Sequence, residues 1–558
     1  MKKTHHIFTT FFIISILLSA CTAPQVATPI AERTLTPRPP TITKTPTATP
    51  NPNYLWISDA VPDALRNESF DWGLPLTADE DMAVLRLDVN ESEPEAEWVY
   101  ALVAPFPTIM DEVTSEALRA TWEGEVSDAP ALWVAEETRS ALTALWGQPG
   151  SKRVRTAESH NLLNLAWEER DSWAIIPFEK IEPRWKVLSI DGQSPMHNDF
   201  VAEDYLLIIP FGWDCESPCT VEPPEISSTN RDPEKLTVLV MTGVTAMVRA
   251  TAYKMEMEGI TYPARDIGHW LQNADITHIS NEVPFFEDCP YPNPNPGMQP
   301  FCSNPDYIEL LEHVGADLVE LTGNHFQDQG SLATLFTLDM YNERGIPYYG
   351  GGKDLADAQK AITLEHNGNK FAFIGCNPVG PDYAWAREDD WPGAAPCDFE
   401  FMTAEIARLR DEGYLPIATF QYQEYYSPEI RPQQGRDFRA MADAGAVVVS
   451  GSQAHSAQVK EFYNGSFIDY GLGNLFFDQM HTTEHTRDEF IDRHTFYDGR
   501  YLGVELLTAL LEDYARPRPM NPAERTEFLT YIFDASGWGN LVATITPTPT
   551  TTPAPVNQ

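Results

Sequence analysis

The sequence predicts an α/β protein with two successive folded regions between proline-rich ends. Short apolar runs alternate with helical stretches, as in the strand-like run at 236–241 and the helical stretch near 262–272. Gly345, Gly413 and Gly445 follow helical stretches, where a C-terminal cap often needs a residue with positive φ. Polar motifs come directly after several predicted strands, which is where α/β folds tend to place their ligand sites.

The N-terminus has the pattern of a secretory signal. Lys2 and Lys3 precede an apolar run from 7 to 18, which is too short to be a typical membrane span. The run ends in Leu18-Ser19-Ala20-Cys21, which resembles a bacterial lipobox. We therefore expect residues 1–21 to be a lipoprotein signal and Cys21 to be lipidated. The alternative is an ordinary signal that happens to contain a cysteine.

Two segments rich in Thr and Pro, residues 22–53 and 542–558, are predicted to be disordered because they lack the apolar residues needed for a core. The first would act as an extended stalk. The whole chain has 82 acidic and 38 basic residues and a net charge of −44. Because five basic residues and one acidic residue precede Tyr54, the rest of the chain carries a net charge of −48. Such a chain repels polyanions, so we expect no nucleic-acid partner.

Six cysteines remain after Cys21, and an even number in an exported chain favours disulfides. Sequential pairing would close three short loops, although six cysteines allow 15 connectivities. The alternative is a zinc site, but the Cys215-x3-Cys219 spacing has no second matching pair and no adjacent histidines. The paired residues would be Cys215 with Cys219, Cys289 with Cys302, and Cys376 with Cys397.

Residues 54–220 are predicted to form a smaller α/β domain. The run Ala101-Leu-Val-Ala-Pro-Phe-Pro-Thr, the helical stretch after Thr114 and the run Trp173-Ala-Ile-Ile-Pro-Phe together resemble a lobe of type 2 periplasmic solute-binding proteins. The alternative is a generic α/β accessory domain, and the resemblance assigns no ligand residues. The Pro- and Ser-rich passage from Cys215 to Pro233 is typical of a linker.

Several polar segments follow the predicted strands of the second region. They are Thr242-Gly243-Val244, Ser280-Asn281-Glu282, Leu321-Thr322-Gly323-Asn324-His325, Gly451-Ser452-Gln453-Ala454-His455 and Tyr470-Gly471-Leu472-Gly473-Asn474. In this order they resemble the CapA family, bacterial proteins associated with poly-γ-glutamate capsule synthesis whose domain is similar to calcineurin-like metallophosphatases. The resemblance implies an α/β/β/α sandwich over residues 234–515, followed by a C-terminal helix within 516–541.

The same resemblance implies a metal site, of which this sequence keeps only a part. The metal positions that are kept are Glu282, Asn324, His325 and His455. The residues implied for catalysis are His325, Asn324 and Glu424, the last as an acid or base. Val244, Gln421 and Gln453 stand where the family has an aspartate and two histidines. Valine has no lone pair and an amide is a weak neutral ligand, so three strong ligands are missing.

Two interpretations of this site stay open. Either the metal centre is lost and the cleft binds an acidic or peptidic polymer, or a single divalent metal (Mn, Zn, Fe or Ca) is held weakly by the remaining ligands. Arg249 and Asn474 are the candidate substrate-binding residues, Arg249 because a guanidinium can grip a carboxylate or a phosphate.

The resemblance implies a lipid-anchored protein of the cell envelope that faces the extracytoplasmic side. It would act in the synthesis, export or attachment of an anionic exopolymer such as poly-γ-glutamate. Its expected partners are that polymer or its synthesis machinery, and the membrane through the lipid anchor. The alternatives are a metal-dependent hydrolase of phosphoesters or amides and a solute-binding module based on the first region.

Overall fold

The computed structural model describes residues 53–68, 73–150, 152–215, 219, 221–295 and 301–539. The predicted signal, Cys21, nearly all of the first Thr/Pro-rich segment and all of the second lie outside the described residues. Across the described ranges, none of the helices combines the length and apolar character required to cross a membrane.

The first region is built on one mixed nine-stranded sheet. Its strands are β1 (Tyr54–Ile57), β2 (Ala83–Val89), β3 (Ala96–Pro105), β4 (Glu112–Val113), β5 (Ala131–Val134), β6 (Val154–Thr156), β7 (Ser172–Pro177), β8 (Trp185–Ile190) and β9 (Ile208–Cys215). Its helices are α1 (Asp63–Glu68), α2 (Ser115–Glu123), α3 (Glu136–Trp146) and α4 (Leu162–Glu168). The strand order is β1-β2-β9-β3-β7-β5-β6, with β8 pairing with β3 and β4. The prediction of an α/β architecture for this region is confirmed.

The second region contains the remaining strands and helices of the described chain. The strands are β10 (Leu236–Thr242), β11 (Val244–Thr245), β12 (Ile276–Asn281), β13 (Leu318–Glu320), β14 (Tyr348–Tyr349), β15 (Gly351–Gly352), β16 (Ile362–His366), β17 (Asn369–Cys376), β18 (Gly393–Ala394), β19 (Leu415–Gln421), β20 (Val448–Ser452), β21 (Lys460–Tyr463), β22 (Ser466–Asp469), β23 (Asp488–Tyr497), β24 (Arg500–Glu512) and β25 (Arg516–Pro519). The helices are α5 (Arg249–Glu258), α6 (Gly268–Gln272), α7 (Ile308–His313), α8 (Gly330–Arg344), α9 (Leu355–Ala358), α10 (Phe399–Asp411), α11 (Pro432–Asp443) and α12 (Pro522–Ala535).

Two mixed sheets organise this region. One has the order β14-β13-β12-β10-β23-β24-β25, and the other has the order β16-β17-β19-β20-β22-β21. Strands β10, β12, β13 and β14 run parallel, as do β17, β19, β20 and β22. The carboxyl ends of parallel strands meet at one edge of each sheet, where a ligand site is expected.

Alternating side chains of these strands give the region four layers. Leu239 and Met241 of β10 pack against Phe371 and Phe373 of β17, so the two sheets share a core. Val240 faces the opposite way and joins a core with helices α5, α7 and α8. A third core lies between the β17–β19–β20 face and helices α10 and α11. This arrangement is the α/β/β/α sandwich predicted for a metallophosphatase-like region, and it covers about half of the chain.

Ion pairs join the first region to the end of the second. Both carboxylate oxygens of Asp111 accept hydrogen bonds from Arg525 of α12 at 2.7 Å, and Lys186 Nζ lies 2.6 Å from Asp111. Burial alone would raise the pKa of Asp111, but Lys186 and Arg525 lower it below its ordinary value. Close by, Glu505 of β24 pairs with His197 at 3.0 Å. The two regions therefore share a charged junction.

Three disulfides close loops in sequential order, as predicted. They join Cys215 to Cys219, Cys289 to Cys302 and Cys376 to Cys397. The passage that was expected to be a linker is packed against the protein in its later part, because Arg231 is buried and donates hydrogen bonds to two backbone carbonyls. Disulfides of this kind persist in oxidising compartments, which indicates an extracytoplasmic location.

Candidate functional site

Polar side chains collect where the parallel strands of the two sheets end. Glu282 follows β12, Asn324 follows β13, Gln421 ends β19 and Gln453 follows β20. The loops approach each other closely, since a Cβ on Gly323 would lie 2.2 Å from the carbonyl oxygen of Glu282. Only glycine allows this contact, and the Thr-Gly-Asn-His motif therefore brings its polar residues beside Glu282.

The amide of Gln421 lies at the centre of this cleft. Its Nε2 lies 3.1 Å from Glu282 Oε1 and 3.2 Å from Asn324 Oδ1 and also contacts Gln453 Oε1, so its two hydrogens are shared among three acceptor oxygens. The hydroxyl of Ser452 donates to Gln421 Oε1 at 2.6 Å, which fixes the amide with its nitrogen toward the three acceptor oxygens. A neutral N–H donor thus occupies the point on which the cleft's oxygens converge.

The side chains in this arrangement do not fit a divalent cation. An amide nitrogen that donates its hydrogens has no lone pair for a metal, and the oxygens that would bind the cation already accept those hydrogens. Among the described residues, no group of three or more His, Cys, Asp or Glu side chains is placed to hold a metal ion.

Val244 stands where the resemblance implies an aspartate, and its side chain is fully buried. It lies in a small apolar cluster with Ala246, Val248, Val283 and Phe477. An aspartate here would bring a charge into apolar surroundings. At this position of the cleft, apolar side-chain packing therefore replaces the metal ligand of the family pattern.

His455 is held in place by Asn474. The Asn474 amide nitrogen donates to the carbonyl oxygens of His455 and Thr486, at 3.3 and 3.2 Å, so its Oδ1 accepts from His455 Nδ1–H at 2.9 Å. In the neutral tautomer this bond places the proton on Nδ1 and leaves Nε2 as the acceptor nitrogen. His455 has a φ of 51° and Gln453 one of 79°, both in the left-handed region that bulky residues rarely adopt. Asn474, the predicted substrate-binding residue, is fully buried and orients this histidine.

His325 lies at the side of the cleft between an acid and an aromatic ring. Its Nδ1 is 2.7 Å from Asp328 Oδ2, and its ring stacks on Phe301 with 3.9 Å between centroids. Burial would lower the pKa of His325, but the hydrogen bond to Asp328 and the charge of Glu282 raise it above the ordinary value. His325 therefore gains positive charge more readily than a free histidine.

Arg249 is paired within the protein. Its guanidinium donates two hydrogen bonds to the carboxylate of Asp478, which also accepts from the backbone N–H of Ala250 at 3.0 Å. The rings of Phe301 and Phe477 each lie 4.9 Å from the guanidinium carbon. These contacts use much of the guanidinium that was predicted to grip a substrate.

Glu424, the predicted acid or base, is exposed. Its carboxylate accepts a hydrogen bond from the hydroxyl of Tyr426, which also bonds Gln479 at 3.0 Å. The ring of Tyr426 in turn stacks over His455 at 6.4 Å. The structure thus places Glu424 at the rim, beside His455, whereas Glu282, Asn324, Gln421 and Gln453 form the centre.

Sequence reasoning did not assign roles to three residues of the site. Ser452 orients the central amide, Phe301 stacks on His325, and Asp478 neutralises Arg249. Asp478 belongs to a segment that resembles the family pattern, so the sequence contained a signal for it. Ser452 also belongs to such a segment, next to Gln453, whereas Phe301 reaches the site through a tertiary contact alone.

Comparison with known proteins finds similarity to capsule-synthesis proteins over part of the chain. Residues 238–479 match the model of "Bacterial capsule synthesis protein PGA_cap". The chain is 24% identical over 300 residues to "Capsule biosynthesis protein CapA" of Bacillus anthracis, covering 53% of this chain and 72% of that protein. It is 29% identical over 187 residues to "PGA biosynthesis protein CapA" of Bacillus subtilis (strain 168). That match covers 33% of this chain and about half, 48%, of the relative.

Solved structures resemble parts of the chain. A putative 5'-nucleotidase from Staphylococcus aureus is 11% identical and covers 54% of this chain and 58% of its own, with a TM-score of 0.34. An ABC-type phosphate transport receptor from Vibrio cholerae is 13% identical and covers 30% of this chain and 87% of its own, with a TM-score of 0.25. Both scores are low, and the fold assignment rests on the strand orders and layers described above.

Proposed function

Because residues 238–479 form a region of the PGA_cap family that is distantly related to CapA, we propose that this chain acts in the biosynthesis of an anionic capsule polymer such as poly-γ-glutamate. It does so in synthesis, export or attachment, together with the machinery that makes the polymer. The protein is anchored outside the cytoplasm by lipid on Cys21.

The cleft binds its ligand without a metal, as a degenerate form of a metal site. The observation that carries this proposal is the amide of Gln421, which donates to Glu282, Asn324 and Gln453 where a cation would lie. Glu282 Oε2 is buried and makes no hydrogen bond among the described residues. A buried carboxylate oxygen without a donor is costly, so a ligand that supplies an N–H or O–H group there is strongly favoured.

The test of the biological role is complementation. We expect deletion of the gene in its bacterium to lower the cell-attached anionic polymer to background, and the full chain to restore it. Glu282→Ala removes the buried acceptor and should not restore the polymer, whereas Glu424→Gln, at the exposed rim, should. A Cys21→Ser chain should be released from the membrane. Unchanged polymer after deletion would contradict the role.

The metal-free part of the proposal is tested on the purified full chain. Elemental analysis after exposure to Mn, Zn, Fe or Ca, followed by desalting, should find far less than one metal per chain. The variant Val244→Asp/Gln421→His/Gln453→His replaces the three missing ligands and should retain metal under the same treatment. Stoichiometric metal in the unaltered chain would overturn this part and leave the capsule role standing.

A further inference from the structure

A groove separate from the cleft lies between the two regions of the chain. This junction groove has a volume of about 620 Å³ and is lined by residues that include Trp167, Arg184, Arg439, Phe462, Tyr470 and Trp538. Small-molecule sites usually have volumes of roughly 300–1,000 Å³ and often lie between domains. The junction groove is therefore of a size and in a place that suit a ligand.

Three half-buried aromatic side chains form a fixed wall of the groove. Phe462 stacks on Trp538 with 5.7 Å between centroids, and Trp167 meets both rings edge-on at 6.5 and 6.2 Å. The Trp167 indole N–H donates to the carbonyl oxygen of Arg184 at 3.1 Å, which ties the wall to the backbone of the first region. Such a wall offers apolar surface to the methylene groups of a ligand at low entropic cost.

Arg184 is the charged group of the groove that remains available. Its guanidinium carbon lies 4.7 Å from the centre of the Trp167 ring, and it makes no ion pair with any described residue. Two other basic residues of the groove are occupied, because Arg439 pairs with Glu461 at 3.0 Å and the buried Lys460 pairs with Asp469. Glu182 is near enough to interact electrostatically with Arg184, but among the described residues no acid holds the guanidinium in an ion pair, so a carboxylate of a ligand can bind it.

The acid beside Arg184 narrows the class of ligand. Glu182 also lines the groove, is exposed, and stands two residues before Arg184 with Pro183 between them. A ligand that meets both side chains presents a carboxylate to the guanidinium and a hydrogen-bond donor to Glu182. A carboxylate and an amide N–H on the same carbon provide that pair over a short distance.

We propose that the junction groove binds a polymer whose backbone carries a carboxylate and an amide N–H on the same carbon, as a γ-linked glutamate chain does. Arg184 binds the carboxylate, Glu182 accepts the N–H, and the methylene groups lie on the Trp167–Phe462–Trp538 wall. An α-linked glutamate chain carries its carboxylate at the end of a side chain and does not present this pair. The choice of a γ-linked chain rests on the proposed function, whereas the anionic character of the ligand follows from Arg184.

The proposal is tested by calorimetric titration of the full chain with three probes: a γ-linked glutamate decamer, an α-linked glutamate decamer and inorganic phosphate. We expect the γ-linked decamer to bind at least tenfold more tightly than either of the others. Arg184→Gln should weaken that binding at least tenfold, and Arg184→Lys, which keeps the charge and loses the planar fork, should give an intermediate loss. Arg184 makes no ion pair, so these variants should fold normally, which thermal unfolding checks.

Arg119→Gln is the matched control, because Arg119 also lies over a tryptophan, 4.8 Å from the ring of Trp146, but does not line the groove. It should bind like the unaltered chain. Equal affinity for the two decamers, or binding that Arg184→Gln leaves unchanged, would overturn the proposal. Absence of any binding would also overturn it. The complementation experiment with Glu282→Ala does not depend on this groove and would still test the proposed capsule function.

Discussion

The sandwich contains two buried polar centres that differ in the source of their positive charge. Around Lys460, the chain supplies the cation itself: the side chain is buried, pairs with Asp469 and lies 3.8 Å from the centre of the Phe490 ring. Around Gln421, an amide N–H stands in for a cation and meets the carboxylate of Glu282. One centre is an ion pair enclosed by protein, and the other sets a carboxylate against a neutral donor; each keeps one carboxylate oxygen without a hydrogen-bond partner, Oδ1 of Asp492 and Oε2 of Glu282.

This difference separates a structural role from a binding role. At the Lys460 centre, burial and the neighbouring Asp469 raise the pKa of Asp492 well above its ordinary value, against the opposing charge of Lys460. At the Gln421 centre, the chain leaves part of the hydrogen bonding of Glu282 to a ligand. A cation supplied by the chain itself stabilises the fold, whereas a carboxylate bonded only by a neutral amide can take its remaining donor from a ligand.

Removal of the Lys460 cation is the strongest test of the difference between the two centres. Lys460→Met leaves Asp469 buried without its partner, and breaking a buried pair in this way costs about 3–5 kcal/mol. Urea unfolding followed by circular dichroism measures the loss. Lys254→Met removes a surface ion pair with Asp513 and should cost less than about 1 kcal/mol. Equal losses would mean that the Lys460 centre has no special structural role.

We expect low pH to destabilise the protein through His494, a buried histidine whose charge is opposed by Lys460. Burial, with a smaller effect of Lys460, lowers the pKa of His494 to about 3. Its stabilisation is complete above the ordinary histidine value of about 6.5 and is lost as the pH falls from there toward 3, by up to about 1.4 kcal/mol per pH unit. Unfolding curves between pH 7 and pH 4 measure this slope, to which His278, also with a pKa of about 3, contributes in the same direction.

His494→Gln should therefore reduce the acid slope without abolishing it. His269→Gln, at an exposed histidine, should leave the slope as it is. An unchanged slope in the His494 variant would show that His494 is not held neutral by its surroundings.

The smallest effect is expected at the cleft. Gln421→Met leaves the oxygens of Glu282, Asn324 and Gln453 without their donor, and the cost of such buried acceptors is about 2 kcal/mol. Ser452→Ala frees the amide to rotate and should cost about 1 kcal/mol. Gln148→Met, at an exposed position after α3, is the control and should stay within about 0.5 kcal/mol. A stabilised Gln421→Met protein would mean that the amide is not the hydrogen-bonded centre of the cleft.

Much of the fold could be predicted because it depends on local patterns. The strand expected at 236–241 is present as β10, Leu236–Thr242. The helix expected near 262–272 is instead a short 3₁₀ turn, Tyr262–Ala264, followed by α6. The three disulfides have the sequential pairing that was preferred among the 15 possible connectivities. Apolar periodicity and loop length are properties that a sequence displays directly.

The chemistry of the site could be predicted only in part. The family pattern has histidines at the positions of Gln421 and Gln453. Because an amide is a weak neutral ligand, these two residues indicated weak metal binding. That Gln421 donates to its three neighbours depends on Ser452, which orients the amide from the adjacent strand. The pairing of Arg249 with Asp478 joins residues 229 positions apart, so no local pattern indicated that this arginine is occupied.

The bond between Asp111 and Arg525 has a consequence for how the chain reaches its folded state. These residues are 414 positions apart. During synthesis from the N-terminus, the first sheet can form before α12 has been made. Asp111 and Lys186 cannot complete the junction with Arg525 until α12 is available. A protein cut before Arg525 would lose this contact together with Phe528, Leu529, Ile532 and Phe533 of α12, which belong to the core shared by the two sheets. The closing of the junction and the completion of that core therefore depend on the same helix.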